Sequence, residues 1–168
     1  MVKTKTTYEG GLHCSMVHEP SGATLSTDAP VDNNGKGESF SPTDLVGAAL
    51  AGCMSTIMGI VAGRKGIHLE GMTVEVAKHM NADPRRIGKL EVVITVPLPS
   101  DCPDRNLLEQ AALSCPVKHS LHPDIDIPIT WKWVGCHLPY FLETACENRR
   151  IFYDVKKCWK NEIVVECA

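Results

Sequence analysis

Two cysteines sit at positions where the surrounding sequence constrains what a thiol can do. Cys53 lies inside "SPTDLVGAALAGCMSTIMGIVAGRKG", residues 41–66, and Cys115 lies in "LLEQAALSCPVKHSL", directly before a proline. A thiol acts as nucleophile or metal ligand only as the thiolate, and a buried cysteine without a charge partner is simply a small hydrophobe. The residue before a proline is pushed out of the α region, so a helix should break at Cys115 and a new turn should start at Pro116. That places Cys115 at or near a helix N-cap, where free N–H groups and the dipole are expected to lower its pKa. Cys53 falls in mid-helix, beyond the reach of the dipole. An unperturbed thiol is only a few per cent ionised near neutral pH, so a reactive Cys53 needs a donor or a positive group brought to it by the fold.

The other ligating residues are less organised. The chain has eight cysteines; in a reducing cytosol these read as free, catalytic or metal-bound rather than as a disulfide framework. His68, His79, His119 and His122 have no metal-ligand spacing with any cysteine, so no metal and no cofactor are expected. "HSLH" holds two histidines without a carboxylate partner and reads as a helix end. Cys14 and Cys102 read as incidental. Cys136, Cys146, Cys158 and Cys167 fall in the last part of the chain with no C-x-x-C.

The elements that would position the two thiols alternate between strand and helix. "KTTYEGGLHCSMVHE" and "ATLSTDAP" read as strands joined at "PSG", with Gly10-Gly11 marking a bulge or a close backbone approach. After the polar loop "VDNNGKGESF", the helix of Cys53 has a marked start: Ser41 as N-cap, Pro42 in the first position and Asp44 completing a capping box. Gly66 ends it. "MTVEVAKHM" and "KLEVVITVPL" read as two strands, followed by a helix from about Asp104 to Ser114, a short one from Pro116 and a last strand in "IDIPITWKW". Trp131 and Trp133 alternate there and share a face, as core or interface.

The helix of Cys53 has no polar face. Gly47, Ala51, Ser55, Gly59 and Gly63 recur at i, i+4 spacing and lay a ridge of small residues along it, open to close approach by another backbone. A helix apolar on all sides must be covered on all sides. Either the other elements of the chain wrap it or a second subunit does.

Composition narrows the class. With 168 residues and 43% hydrophobic content the chain suits one globular domain with an appendage. A net charge of −3 gives no basic footprint, so no nucleic acid is expected. Glycines punctuate the longest apolar run, so no membrane span is expected. "MVKTKTTYEGG" lacks the apolar segment of a secretory signal, which points to the cytoplasm.

"SPTDLVGAALAGCMS", followed downstream by "ALSCPV" and separated from it by "GRKGIHLEGMTVEV", resembles the OsmC/Ohr family, the osmotically inducible and organic hydroperoxide resistance proteins. The resemblance runs from about Tyr8 to Trp133, which divides the chain into an OsmC-like domain, 1–134, and a C-terminal extension, 135–168. It implies an α+β fold in which antiparallel sheets wrap long central helices in an intertwined homodimer. It also implies a thiol-dependent peroxidase acting on organic hydroperoxides. Cys53 would be the peroxidatic thiol, oxidised to a sulfenic acid, and Cys115 the resolving one, with a Cys53–Cys115 disulfide reduced by a small dithiol or a lipoylated protein. The same fold could instead serve a non-catalytic protein that binds a hydrophobic small molecule or senses redox state.

Two positions depart from the family. An arginine follows the family's double glycine, where this chain has Leu12 and then His13; a glutamate stands in the family at the position of Thr43, with Asp44 beside it here. In the family that pair stabilises the thiolate, so slower reaction is expected of this chain. His13, Arg64, Arg85 and Arg86 are the cations that could substitute, and for each the sequence favours a solvated surface role.

Overall fold

The double glycine reverses the chain instead of bulging one long strand. In the computed structural model, which describes residues 1–135, β1 (Thr4–Gly10) and β2 (His13–His18) form an antiparallel hairpin, not the single strand expected from the sequence. Gly10, Gly11 and Leu12 all have positive φ, at 90°, 58° and 65°. Glycine enters that region freely, whereas leucine is strained there. The expected bulge is present too, as a register shift between Tyr8 and Gly10. The "PSG" turn then leads into β3 (Thr24–Asp28), antiparallel to β2.

This first sheet has two unlike faces, because cross-strand partners share a side. Tyr8, Cys14 and Thr27 are in register, as are Thr6, Met16 and Leu25; the opposite face carries Thr7, Ser15 and Ser26. Tyr8 is 64% exposed and Leu25 47%. The three strands pack on one another and make only marginal contact with the rest of the fold.

Helix α1 (Pro42–Arg64) starts as its sequence dictates. Ser41 Oγ accepts from Asp44 N at 3.2 Å, Asp44 Oδ2 accepts from Ser41 N at 2.8 Å, and Pro42 takes the first position. Lys65 caps the end and Gly66 follows with φ 68°. Gly47, Leu50, Met54, Met58 and Ala62 form its buried face. Ala48, Ala49, Gly52, Thr56, Gly59, Ile60 and Gly63 are exposed. The expected small-residue ridge is thereby split: Gly47 lies under Val76, whose Cγ1 is 3.3 Å from an ideal Cβ, while Gly59 and Gly63, like Gly52 outside the ridge, meet nothing within 4 Å.

By length and composition alone α1 could cross a membrane, with a mean hydropathy of 2.0 and 28% of its apolar window buried. This overturns the expectation that its glycines disqualify it, because small apolar neighbours keep the average high. It packs here against a sheet and a second helix.

The second sheet holds β4 (Thr73–Asn81), β5 (Arg86–Val96) and β6 (Ile129–Trp133) in that order. β4 and β5 are antiparallel, but β6 runs parallel to β5, so the sheet is mixed rather than antiparallel throughout. The physical reason is the crossover: α2 (Arg105–Leu113) and α3 (Pro116–Ser120) lie between β5 and β6 and carry the chain back to its starting end. Leu90, Val92, Ile94 and Val96 of β5 face Leu50, Met54 and Met58 of α1 and Leu108 and Ala112 of α2 in one core. Trp131 and Trp133 do share a face, with ring centroids 6.4 Å apart; Trp133 Nε1 donates to Glu109 Oε1 at 3.2 Å, and Arg105 lies over its ring. The extension with its four cysteines lies outside the described residues beyond Gly135.

Candidate functional site

The fold brings the two thiols together. Cys53 sits on the flank of α1 between its buried and open faces and is partly exposed. Cys115 ends the α2 segment and serves as N-cap of α3, with extended φ and ψ of −55° and 123° ahead of Pro116 at N1. Its Sγ accepts from Lys118 N at 3.5 Å, and its side chain is fully buried in the core with Leu108 and Ala112. Cys53 lies close enough to Cys115 to act on its ionisation. The proline-forced helix break therefore does what its sequence requires: it turns the Cys115 side chain back toward α1.

The expected electrostatics of Cys115 are reversed. Burial pushes its pKa above the ordinary thiol value, and the hydrogen bond with Cys53 adds to this; the N–H groups of Lys118 and Val117 pull the other way and are outweighed. The N-cap position is as expected, but desolvation of a fully buried sulfur exceeds the help of a one-turn helix.

Of the four cations that could replace an activating arginine, three lie beside carboxylates elsewhere and the fourth is exposed. His13 Nε2 lies 3.8 Å from Glu9 Oε2 on the first sheet. Arg85 pairs with Asp32 at 3.4 Å and Arg86 with Asp124 at 3.1 Å, and Arg64 is exposed at the far end of α1. Cys14, opposite Tyr8 in β2, and Cys102, in the turn before α2, stand in other parts of the fold. His122 does have a carboxylate neighbour, with Nδ1 3.6 Å from Asp124 Oδ2, against the reading of "HSLH" as lacking one. Among the described residues no three His, Cys, Asp or Glu side chains gather as a metal site.

Sequence reasoning missed Lys78. Its Nζ donates to Thr43 Oγ1 at 2.7 Å and to Ser41 Oγ at 3.4 Å, and it pairs with Asp44 Oδ1 at 2.6 Å. Asp44 is held below the usual carboxylate range: burial pushes it up, but the Lys78 and Ser41 hydrogen bonds prevail. The signal was present in "VEVAKHM", where alternation puts Lys78 on the same inward face as Val74, Val76 and Met80. Lys78 closes the polar end of a groove of about 960 Å³ lined by Phe40, Gly47, Ala48, Ala51, Val74 and Val76, with Glu38 and Asp44. Cys53 is not among its walls; the groove runs along a different side of α1.

This arrangement can be set beside known proteins. The profile of OsmC-like protein matches residues 35–130, which spans α1, both thiols, β4, β5 and the start of β6. The chain belongs to the OsmC-like family. An osmotic stress induced and detoxification response protein of Psychrobacter arcticus is 46% identical, with 78% of this chain and 96% of that one covered and a TM-score of 0.74. An organic hydroperoxide resistance protein OsmC of Legionella pneumophila is 19% identical over 79% of this chain and 96% of its own, with a TM-score of 0.62. One from Elizabethkingia anophelis is 17% identical over 80% and 96%, with a TM-score of 0.63. The last two likenesses show the fold alone. No match is found among curated proteins.

Proposed function

We propose that this OsmC-like protein is a thiol-dependent reductase of organic hydroperoxides. The observation that carries the reading is the placement of a partly exposed Cys53 beside a fully buried Cys115. The Cys53 thiolate attacks the O–O bond and becomes a sulfenic acid while the alkoxide leaves as an alcohol. The Cys115 thiol then condenses with the sulfenic acid to form the disulfide and release water. A small dithiol or a lipoylated protein returns the pair to two thiols. Such a cycle suits a reducing compartment, in keeping with a cytoplasmic setting.

The working unit in this reading is a homodimer. Two surfaces of the single chain lack a cover: the apolar face of the first sheet with Tyr8, Met16 and Leu25, and the open face of α1. A second copy laying its sheet across α1 would bury both at once, and the groove along α1 and β4 belongs to the same uncovered region.

The test is peroxide consumption with cumene hydroperoxide and with hydrogen peroxide, followed by peptide mapping. The wild type should consume the organic peroxide faster. Cys53→Ser should abolish consumption, and Cys115→Ser should allow one turnover and leave Cys53 prone to over-oxidation. If Cys53 remains a free thiol while other cysteines oxidise, the enzymatic reading fails and the ligand-binding alternative replaces it.

A further inference from the structure

We propose that Lys118 is the cation that activates Cys53, in place of an arginine on the first sheet. The proposal rests on the peroxidase reading above and assigns the one charge which that reading lacks. Lys118 N lies 3.5 Å from Cys115 Sγ, so the Cα of Lys118 is within about 5 Å of that sulfur. The four-carbon stem carries the ammonium up to roughly 6 Å from Cα, a reach that takes in Cys115 and its neighbour Cys53. The stem does not stand out in water. Along α3, Pro116, His119 and Ser120 are exposed, whereas Val117 and Lys118 are half-buried. α3 packs on α1, the helix of Cys53, and Val117 and Cys53 lie on the fringe of the same core.

The other charges around Cys53 are engaged or turned away. The elements packed on α1 are α2, α3, β4 and β5. On α2, Arg105 Nε donates to Glu109 Oε1 at 2.8 Å, and Asp104 at its start is paired with Lys65. On β4, Lys78 is held by Asp44 and Thr43, Glu75 is exposed, and His79 lies beside Glu91. On β5, Arg86 is paired with Asp124 and Lys89 with Glu91. Arg64 of α1 and His119 of α3 are exposed, and His122 beyond α3 lies beside Asp124. Among the described residues no carboxylate pairs with Lys118. A half-buried ammonium without a carboxylate is an unmatched charge, and the Cys53 thiolate is the anion that matches it.

One positive charge serves the reaction from start to finish. The Cys53 thiolate attacks the terminal oxygen of the hydroperoxide; the S–O bond forms, the O–O bond breaks, and the electron pair leaves on the alkoxide, which takes its proton from solvent. The hydroxyl stays on sulfur as the sulfenic acid. Negative charge thus passes from Sγ to the departing oxygen, and an ammonium beside both stabilises it in each place. Lys118 keeps its proton throughout, so arginine can replace it.

The experiment compares the reduced full chain with Lys118→Gln, Lys118→Arg and, as a control, Lys132→Gln at an exposed position of β6. Alkylation of Cys53 by iodoacetamide, which needs the thiolate but no peroxide, is followed by peptide mapping from about pH 6 to about pH 10. Consumption of cumene hydroperoxide is measured beside it. Lys118→Gln should slow both reactions about tenfold near neutral pH, with alkylation converging on the wild-type rate at high pH, where the thiol is ionised without help. Lys118→Arg should restore most of the loss, and Lys132→Gln should behave as wild type. An alkylation profile unchanged in Lys118→Gln overturns the proposal and shows that the ammonium runs along its stem to water instead. A loss that is equal at every pH, or equal in the glutamine and arginine variants, overturns it too, because it marks a structural role in α3. Alkylation that behaves as expected in a protein that consumes no hydroperoxide removes the peroxidase reading and leaves Lys118 assigned to Cys53.

Discussion

Replacing Gly52 and Gly59 by alanine separates an open α1 from a covered one, because the two cases predict opposite signs. An ideal Cβ at either position meets nothing within 4 Å in the single chain. Both glycines lie in the interior of a helix, where alanine is better by about 1 kcal/mol each. They are two turns apart, roughly 10 Å along the axis, so the gains should add to about 2 kcal/mol. For a domain of this size that raises Tm by about 4–8 °C. If a second copy packs against this face at glycine distance, symmetry places each new methyl twice in one interface. Overpacking then costs about 1–3 kcal/mol per site, enough to cancel or exceed the helix gain. The proposed homodimer therefore predicts a lower Tm for the double variant, dependence of Tm on protein concentration, and a rising monomer fraction by light scattering at micromolar concentration. A Tm raised by the full 4–8 °C with unchanged mass would show the face to be open and refute the argument for the dimer.

Two further outcomes follow from local geometry. Asp44 is held below its usual pKa in the folded chain, so its contribution to stability is present above about pH 4 and is lost as the pH falls below that. Asp44→Asn should flatten the acid limb of the stability curve; urea midpoints at pH 5 and pH 3 check this, and an unaltered acid limb would show that other carboxylates govern it. Leu12→Gly should stabilise the hairpin by about 1–2 kcal/mol, because a leucine at φ 65° gives up strain while its side chain is already 45% exposed. A fall in the urea midpoint instead would show that contacts of the Leu12 side chain outweigh the strain.

What could be read in the sequence was whatever local chemistry dictates. The capping box at Ser41 and Asp44, the stop at Gly66 and the break before Pro116 all depend on neighbours within one turn, and each stands as expected. The hairpin at Gly10-Gly11 was harder, since a bulged strand and a tight reversal use the same glycines and only the pairing partner distinguishes them. The parallel pairing of β6 depends on where a long crossover returns, which no local pattern encodes. Of the candidate site, the sequence singled out both cysteines, whose roles are proposed here, but misjudged the electrostatics of Cys115. An N-cap is a local property, whereas desolvation depends on what the distant core places around the sulfur. Lys78 was legible in principle from its place in an alternating strand, yet its partners lie on a helix far away in sequence.

The division of labour between the two thiols follows from that misjudged burial. A sulfur kept neutral in the core is a poor first nucleophile, but its S–H can act as a donor, and Cys53 is the neighbouring thiol. Within the single chain His13, Arg85 and Arg86 lie beside carboxylates of their own and Arg64 is exposed far along α1, so none of the cations weighed for activation is assigned to Cys53. In the proposed reaction the buried partner therefore has two tasks. It supplies a hydrogen bond to Cys53 before the peroxide arrives, and its protonated sulfur stands ready to condense with the sulfenic acid afterwards. The raised pKa that makes Cys115 a poor attacking group at neutral pH also keeps it a thiol, and so a donor, until Cys53 has reacted. A more exposed Cys115 would ionise more readily and be open to oxidation itself.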